Sequence, residues 1–318
     1  MKWMKAIANG ALFFLSGLGC LTVASDQYKE TRMRVLIVDG FSNHDWEATT
    51  QLIRDVLSAD EHIQIDVATV PDQATEDWSN WLPEFSEYVV VVQNTNDIND
   101  KDKPSWPRAA QVAFEEYMFN GGGMLVFHSG NNAFPEWEEY NKMIGLGWRN
   151  KHFGKAIVIK DGEPVVIPAG EGSNTSHGRR IDALLTRIGE HPIHAGLPQQ
   201  WLAADLEVYR YARGPAKNLQ VLSYAEDLKS KLSFPIEWTV QYGAGCIYNS
   251  TYGHYWHNLD EPPAGARCIA FRTLMPRAIH WLAKQPVSVE VPTNFPSAEA
   301  ISLQGEGRLR ELPTFILF

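Results

Sequence analysis

The sequence predicts an α/β fold built on a doubly wound, mostly parallel sheet of the flavodoxin-like type. Apolar segments of strand length alternate with segments of helical periodicity, and several of the apolar segments end abruptly in polar residues. A chain of 318 residues with 44% hydrophobic and 21% charged residues can also bury a large core. Because ligands bind outside the carboxyl ends of strands in such sheets, polar strand ends are the first candidates for a site.

The first half of the chain is predicted to follow the order strand, loop, helix. Apolar residues favour strands over 33–39, 63–69 and 88–92. After the first strand, Asn43 or Asp45 can cap a helix. A second helix, over 107–120, begins with proline and ends at a glycine triplet, which supplies the left-handed turn at its end.

The second half is predicted to contain shorter strands and one closing helix. Turn residues favour a hairpin over 157–167, and further strand candidates lie at 205–209, 219–224, 236–239 and 245–251. A helix over 270–284 closes the α/β domain, which spans 33–285. The tail 286–318 is polar and rich in proline, so it is expected to lie on the surface.

The strand Met124–Phe127 is expected to be the centre of the molecule. Four apolar residues between a glycine triplet and a polar tip fit a strand that is covered on both faces. His128 follows this strand directly. Ser129 lacks the Gly-x-Ser-x-Gly frame of a hydrolase nucleophile, and no cysteine is near it in sequence, so a serine or thiol nucleophile is not expected.

An aromatic segment, residues 134–178, is predicted to be an insertion that lies over the site. It combines several tryptophan, tyrosine and histidine residues with many glycines. The whole chain contains 11 Trp and 11 Tyr, enough for stacking on the apolar faces of sugars as well as for core packing. Composition alone does not choose between these two uses.

The N-terminus predicts export. Lysines 2 and 5 precede an apolar segment and small residues follow it, which is typical of a signal peptide over 1–24. Alternatively, Cys20 is the lipidated end of a lipoprotein and anchors the chain to a membrane. In both cases the mature protein is expected in the periplasm or at the cell surface, without a transmembrane span.

Charge and cysteine content exclude several kinds of partner. The formal net charge is −10 and there is no basic run, so nucleic acid is not an expected partner. No Gly-x-Gly-x-x-Gly follows the first strand, so a bound dinucleotide is not expected, and cysteine spacing excludes a zinc finger. Cys246 and Cys268 could form a disulfide after export or remain two buried thiols.

Four histidines at loops or strand ends could converge in this topology: His44, His128, His152 and His254. Imidazoles beside a carboxylate can transfer protons, and three or four close imidazoles can bind zinc. The sequence therefore predicts catalytic roles for His44, Asp45, His128 and His254. It also predicts a divalent metal such as zinc on a subset of the four histidines. Alternatively, each histidine is a hydrogen-bonded structural residue.

The candidate substrate-binding residues are aromatic, polar or acidic side chains near these positions: Trp46, Ser129, Asn131, Trp137, Glu237 and Trp256. Tryptophan rings stack on sugars, and Glu237 precedes a tryptophan at a strand start, although it could equally be a solvated strand residue. Asp205 and Glu207 alternate with apolar residues, so they are expected on one face of a strand. That face is either part of a site or simply exposed to water.

Taken together, the motifs resemble those of the ThuA-like (trehalose utilisation) family, whose fold is similar to that of class I glutamine amidotransferases. The matching segments cover roughly residues 33 to 285 and are Asn43-His-Asp-Trp46, Gly121-Gly-Gly to His128-Ser-Gly130, Trp137 to Gly145, His191-Pro-Ile, Gly196-Leu-Pro198, Asp205-Leu-Glu-Val-Tyr209, and Trp238 with Tyr242-Gly-Ala-Gly245 through Gly253-His254. The resemblance implies that His128 stands where the amidotransferases have their catalytic cysteine.

The resemblance also implies a role in carbohydrate metabolism, in association with oxidation of disaccharides such as trehalose to 3-keto sugars. The leading hypothesis is an exported hydrolase or lyase that acts on a glycoside or 3-keto-glycoside, not a glutamine amidotransferase. One alternative is a non-catalytic sugar-binding protein with Trp46, Trp137 and Trp256 as stacking surfaces. Another is an accessory subunit of a sugar oxidoreductase. The sequence does not predict the oligomeric state.

Overall fold

A computed structural model describes residues 32–98, 106–306 and 310–311 of the chain. The predicted signal peptide and Cys20 lie outside these residues. Among the helices that are described, none is both long and apolar enough to cross a bilayer. Cys246 and Cys268 are both free.

The strands are, in chain order, β1 Met33–Asp39, β2 Ile63–Thr69, β3 Val90–Gln93, β4 Gly123–Val126, β5 Lys155–Lys160, β6 Glu163–Ile167, β7 Ile181–Arg187, β8 Gln200–Leu206, β9 Arg213–Gly214, β10 Leu219–Glu226, β11 Ser233–Tyr242, β12 Gly245–Ser250, β13 Ala300–Ile301 and β14 Arg310–Glu311. The α-helices are α1 Trp46–Leu57, α2 Glu76–Asn80, α3 Arg108–Phe119, α4 Glu138–Ile144, α5 Ala264–Arg267 and α6 Ile269–Leu282. Short 3-10 helices span Phe85–Glu87, His128–Asn132 and Pro192–His194.

Twelve strands of the described chain form one mixed sheet, so the prediction of an α/β fold is confirmed at that level. Its main path runs β2-β1-β3-β4-β12-β11-β10-β7-β8. The pairs within β2-β1-β3-β4-β12 are parallel, whereas β12 through β8 pair antiparallel. The expected parallel arrangement therefore holds for one half of the sheet, and the other half is antiparallel.

Alternate residues of the parallel strands pack into two separate hydrophobic clusters. On β4, Leu125 belongs to a cluster that includes side chains of α1 and α6, whereas Met124 and Val126 belong to one that includes side chains of α3 and α4. This two-sided burial explains why β3 and β4 are apolar without alternation. It also leaves the strand ends as the places where polar residues can reach solvent.

The aromatic segment 134–178 belongs to the body of the fold. Trp137 and Tyr140 are buried in an aromatic cluster with Trp106 and Phe114. The predicted hairpin is present as β5 and β6, and it joins the sheet through a pairing with β11. The segment is therefore not a separate cover over the site, although a few of its residues contribute to it.

Three other expectations need correction. The strand predicted over 205–209 ends at Leu206, because Asp205 adopts a positive φ of 49° and the chain then leaves the sheet. The tail after residue 285 is not simply a surface segment, since Phe295 and Leu303 are buried in the core. Glu237 is not a solvated strand residue, because it is fully buried in β11.

Glu237 lies in a closed hydrogen-bond network. Its carboxylate accepts hydrogen bonds from Ser223 Oγ at 2.5 Å and Tyr248 OH at 2.6 Å, and it lies 3.2 Å from His194 Nε2. Burial raises its pKa, but His194 and these hydrogen bonds outweigh burial and lower the pKa overall. With no exposed surface, Glu237 does not offer the predicted sugar subsite.

Candidate active site

Three of the predicted histidines converge at the carboxyl edge of the parallel strands. One ring nitrogen from each of His44, His128 and His254 lies within 4.8 Å of the others, and all three side chains are buried. The ring centroids are 4.9 to 5.3 Å apart. The predicted fourth member, His152, is exposed and is not part of this group.

Strand order explains the convergence. His44 lies in the loop after β1, His128 follows β4, and His254 lies in the loop after β12. These three strands are parallel, so their carboxyl ends meet at one edge. Strand β8 has the same direction, since four antiparallel pairings separate it from β12, and it delivers Glu207 to the same edge.

The backbone at His128 turns sharply from strand to helix. His128 has a positive φ of 37°, which is uncommon outside glycine and is a strained conformation, and the 3-10 helix begins at this residue. Its Nδ1 lies 3.0 Å from the carbonyl oxygen of Thr251. A carbonyl only accepts, so Nδ1 carries the proton and Nε2 keeps a lone pair. That buried Nε2 has no hydrogen-bond partner among the residues that the structure describes.

His44 is oriented in the same way. Its Nδ1 lies 2.9 Å from Asn43 Oδ1, which also accepts from Asn96 Nδ2, so Nδ1 of His44 is the donor. The Nε2 atom of His44 therefore also keeps a lone pair. The His44 backbone N–H donates to Ser42 Oγ at 3.1 Å, and Ser42 Oγ lies 3.5 Å from Ser129 Oγ. Ser129 thus connects the loop of His44 with the tip of β4.

The loop that carries His254 needs a glycine where it passes the core. Gly253 has a φ of 95°, and a Cβ atom there would lie 2.5 Å from the ring of Phe127. Beyond His254, the carbonyl oxygen of Tyr255 accepts a hydrogen bond from the backbone N–H of Asp45 at 3.2 Å. The loops of His44 and His254 are therefore joined directly.

Burial favours the neutral form of all three imidazoles. Burial lowers the pKa of His44 to about 4 and that of His254 to about 3, with further lowering by nearby imidazoles and the Arg180 cation. Burial also holds the pKa of His128 well below its ordinary value. Neutral imidazoles with free lone pairs are the form that binds metals.

Glu207 lies at the centre of the histidines. Its carboxylate oxygens are 3.6 Å from His128 Nε2, 3.5 Å from His254 Nε2 and 3.4 Å from His177 Nε2. Burial raises the pKa of Glu207, while His177 and Arg180 oppose that rise. The Glu207 carbonyl accepts a hydrogen bond from Thr251 Oγ1 at 2.8 Å, so Thr251 holds both His128 and Glu207 in place.

Two tryptophan rings flank the cluster. Trp256 is 47% exposed, stacks on His254 at 5.9 Å and contacts His44 edge-on at 5.1 Å. Trp148 lies 5.6 Å from His177 and is half-buried. An exposed indole beside polar side chains is the kind of surface that binds the apolar face of a sugar.

The other predicted site residues have different positions. Asp45 caps α1, with Oδ1 accepting from the Ala48 N–H at 3.0 Å, and its Oδ2 is 3.9 Å from His257 Nδ1. Trp46 is half-buried at the start of α1. Asn131 follows His128 in the 3-10 helix and is fully buried, and neither side-chain amide atom has a hydrogen-bond partner in the described ranges. Trp137 donates from Nε1 to Glu115 at 2.8 Å within the core and does not reach the cluster.

The structure brings three residues to the site that the sequence did not assign to it. For Glu207 the sequence left two possibilities open, part of a site or a strand face exposed to water, and it gave His177 and Arg180 no role. Arg180 Nε lies 3.0 Å from Asp205 Oδ1, and Arg180 Nη1 contacts His254. All of these come from the antiparallel half of the sheet, so only the strand order could have placed them.

The fold and this cluster define an α/β protein with a histidine and carboxylate site at the carboxyl edge of its parallel strands. Residues 34–282 match the family described as trehalose utilisation, ThuA. The chain belongs to this family, which confirms the resemblance found in the sequence. None of the curated proteins matches the chain.

One solved structure agrees with the family. A ThuA-like protein from Parabacteroides merdae ATCC 43184 is 30% identical in sequence, with a TM-score of 0.79. The match covers 86% of this chain and 98% of that chain. A ThuA-like protein from Bacteroides uniformis ATCC 8492 is 17% identical, with a TM-score of 0.48, and the match covers 80% of this chain and 94% of that one. An exo-β-1,4-mannosidase from Opitutaceae bacterium strain TAV5 is 14% identical, with a TM-score of 0.32. This match covers 83% of this chain and 37% of the mannosidase chain.

The glycine before His254 gives a test of how the loop is held. We expect Gly253→Ala to lower the free energy of unfolding by roughly 1–3 kcal/mol, because a side chain at this φ is strained and meets Phe127. Gly189→Ala is the matched control, since Gly189 also has a positive φ of 62° but no described atom lies within 4 Å of a Cβ placed there. Chemical denaturation measures both variants. If both variants lose the same free energy of unfolding, the contact with Phe127 does not contribute to the cost of Gly253→Ala.

Proposed function

We propose that this protein is an exported carbohydrate-active enzyme of the ThuA family that acts on a glycoside or 3-keto-glycoside. The observation that carries the proposal is the buried carboxylate of Glu207 within 3.6 Å of three imidazole rings, next to an exposed tryptophan. Such a group combines proton transfer with an apolar surface for a sugar ring. Export is supported by the signal-peptide pattern over 1–24.

The three buried histidines suit a divalent cation such as zinc. His44 and His128 each have an outer hydrogen bond on Nδ1, which fixes the tautomer that leaves Nε2 free, as second-shell partners do for metal ligands. Within the described part of the chain, the buried Nε2 of His128 has no hydrogen-bond partner, which fits an atom that binds a ligand. His44, His128 and His254 would hold the cation, which when bound would polarise a sugar oxygen.

Glu207 is the best placed proton acceptor. Burial raises its pKa, which makes its carboxylate a stronger base than an exposed one. A keto group at C3 acidifies the C2–H bond of a glycoside. Glu207 takes that proton, the electron pair of the C–H bond forms an enolate, and the enolate expels the glycosidic oxygen from C1 as the C1–C2 double bond forms. The products are an unsaturated keto sugar and the released alcohol.

His177 is placed to protonate the departing oxygen. Its side chain is 36% exposed, and its Nε2 is 3.4 Å from Glu207 Oε1. The imidazolium form of His177 gives its proton to the leaving oxygen. The proton taken up by Glu207 then returns to His177 across the short gap between them, which restores the starting state. No covalent nucleophile is required, in agreement with a histidine at the tip of β4.

Amide transfer from glutamine is the reaction that the site does not support. In place of a thiol, the turn after β4 presents the imidazole of His128. Cys246 is the second residue of β12, at the end of that strand far from the loop of His254, and Cys268 is buried before α6. Burial raises the pKa of both thiols, which makes them poor nucleophiles.

Replacement of Glu207 tests the proton-transfer step. We expect Glu207→Gln to slow release of the alcohol from a 3-keto-glycoside by about 10²- to 10⁴-fold, the usual contribution of a general base. Glu190→Gln is the control, because the Glu190 side chain is 88% exposed. An unchanged rate in Glu207→Gln would remove Glu207 from the mechanism. Binding of the substrate by the wild type without turnover would favour the sugar-binding alternative.

Replacement of His128 tests the cation. Titration of the metal-free protein with Zn²⁺ is expected to show one site, which His128→Ala weakens by about 100-fold or more, since even outer-shell partners contribute 10- to 100-fold. His152→Ala is expected to bind as the wild type does, because His152 lies outside the cluster. The same affinity in His128→Ala and the wild type would exclude the three histidines as the ligands.

A further inference from the structure

Arg180 occupies an unusual position at the rim of the histidine cluster. It immediately precedes β7, and its side chain is 34% exposed. Its Nη1 contacts Nδ1 of His254 and lies 3.4 Å from Nε2 of the same ring. Its Nε is held at 3.0 Å by Asp205 Oδ1, so the guanidinium has one partner inside the cluster and one outside it.

The contact with Arg180 fixes the state of His254. A guanidinium has only N–H donors and no lone pair, so Nδ1 of His254 must accept and Nε2 must carry the proton. His44 and His128 have the opposite tautomer, with Nδ1 as the donor. Of the three rings, two are ready to bind a cation, and the third has its lone pair taken by an internal cation.

The Arg180 guanidinium and a metal cation exclude each other at His254, because both are positively charged. The positively charged guanidinium of Arg180 contacts Nδ1 of His254 and lies 3.4 Å from Nε2 of the same ring. A divalent cation bound to that ring would be repelled by this charge. The guanidinium must therefore leave His254 before the third imidazole can bind a metal.

We propose that Arg180 is a displaceable internal cation that competes with the metal for His254, a role that rests on the proposed cation site. In the metal-free protein the guanidinium partly neutralises Glu207 and blocks the Nδ1 lone pair of His254. When a metal binds, Arg180 withdraws from the ring while Asp205 keeps hold of Nε. Arg180 and Asp205 thus set how tightly the site holds its cation.

The experiment is titration of the metal-free full-length protein with Co²⁺, followed by the visible absorption of the bound ion. We expect Arg180→Met to bind Co²⁺ about tenfold or more tightly than the wild type, because a like charge at contact distance has been removed. Arg179→Met, a change in the exposed neighbouring residue, is expected to bind as the wild type does. If Arg180→Met binds Co²⁺ with the wild-type affinity, the proposed competition is wrong, although the cation site remains. Binding by none of the three proteins would overturn the cation site itself, and the competition with it.

Nitrogen-15 NMR of the histidine rings gives an independent readout in the absence of metal. In the wild type we expect the proton of His254 on Nε2 and the protons of His44 and His128 on Nδ1. In Arg180→Met the preference of His254 for Nε2–H is expected to weaken. A proton on Nδ1 of His254 in the wild type would contradict the contact with Arg180 and overturn the proposal.

Discussion

The hydrogen bond from His128 Nδ1 to the carbonyl oxygen of Thr251 is the interaction on which the site depends. It joins the tip of β4 to the loop after β12, the strand that lies next to β4 in the sheet. Thr251 also donates to the backbone of Glu207, so one residue positions both a ring and a carboxylate. In both bonds the acceptor is a backbone carbonyl just beyond the end of a strand, so the sheet fixes the positions of the two acceptors.

The electrostatic balance of the cluster follows from its burial. Removal from water keeps His44, His128 and His254 neutral and raises the proton affinity of Glu207. The interior thus contains lone pairs and one carboxylate, with Arg180 as the nearby counter-charge. A site of this kind attracts a cation and retains a basic oxygen next to it, which is what acid/base chemistry on a sugar ring requires.

Much of the parallel half could be predicted from sequence, because apolar runs that end in polar residues mark strands whose ends meet at one edge. The convergence of His44 and His128 follows from that rule. The roles of Glu207 and His177 could not be predicted, since they come from the antiparallel half and depend on strand order. The position of Trp137 could not be predicted either, because periodicity does not show whether a ring faces the core or a ligand. In the structure its ring is buried in the core.

The central claim is that His44, His128 and His254 form one cation site beside Glu207. The most direct measurement is X-ray diffraction from crystals soaked in zinc, recorded at the zinc absorption edge. The account predicts a single anomalous peak about 2.0–2.1 Å from one nitrogen of each of the three rings, with Arg180 moved away from His254. An absence of anomalous density at the cluster, with zinc bound elsewhere on the protein, would contradict it.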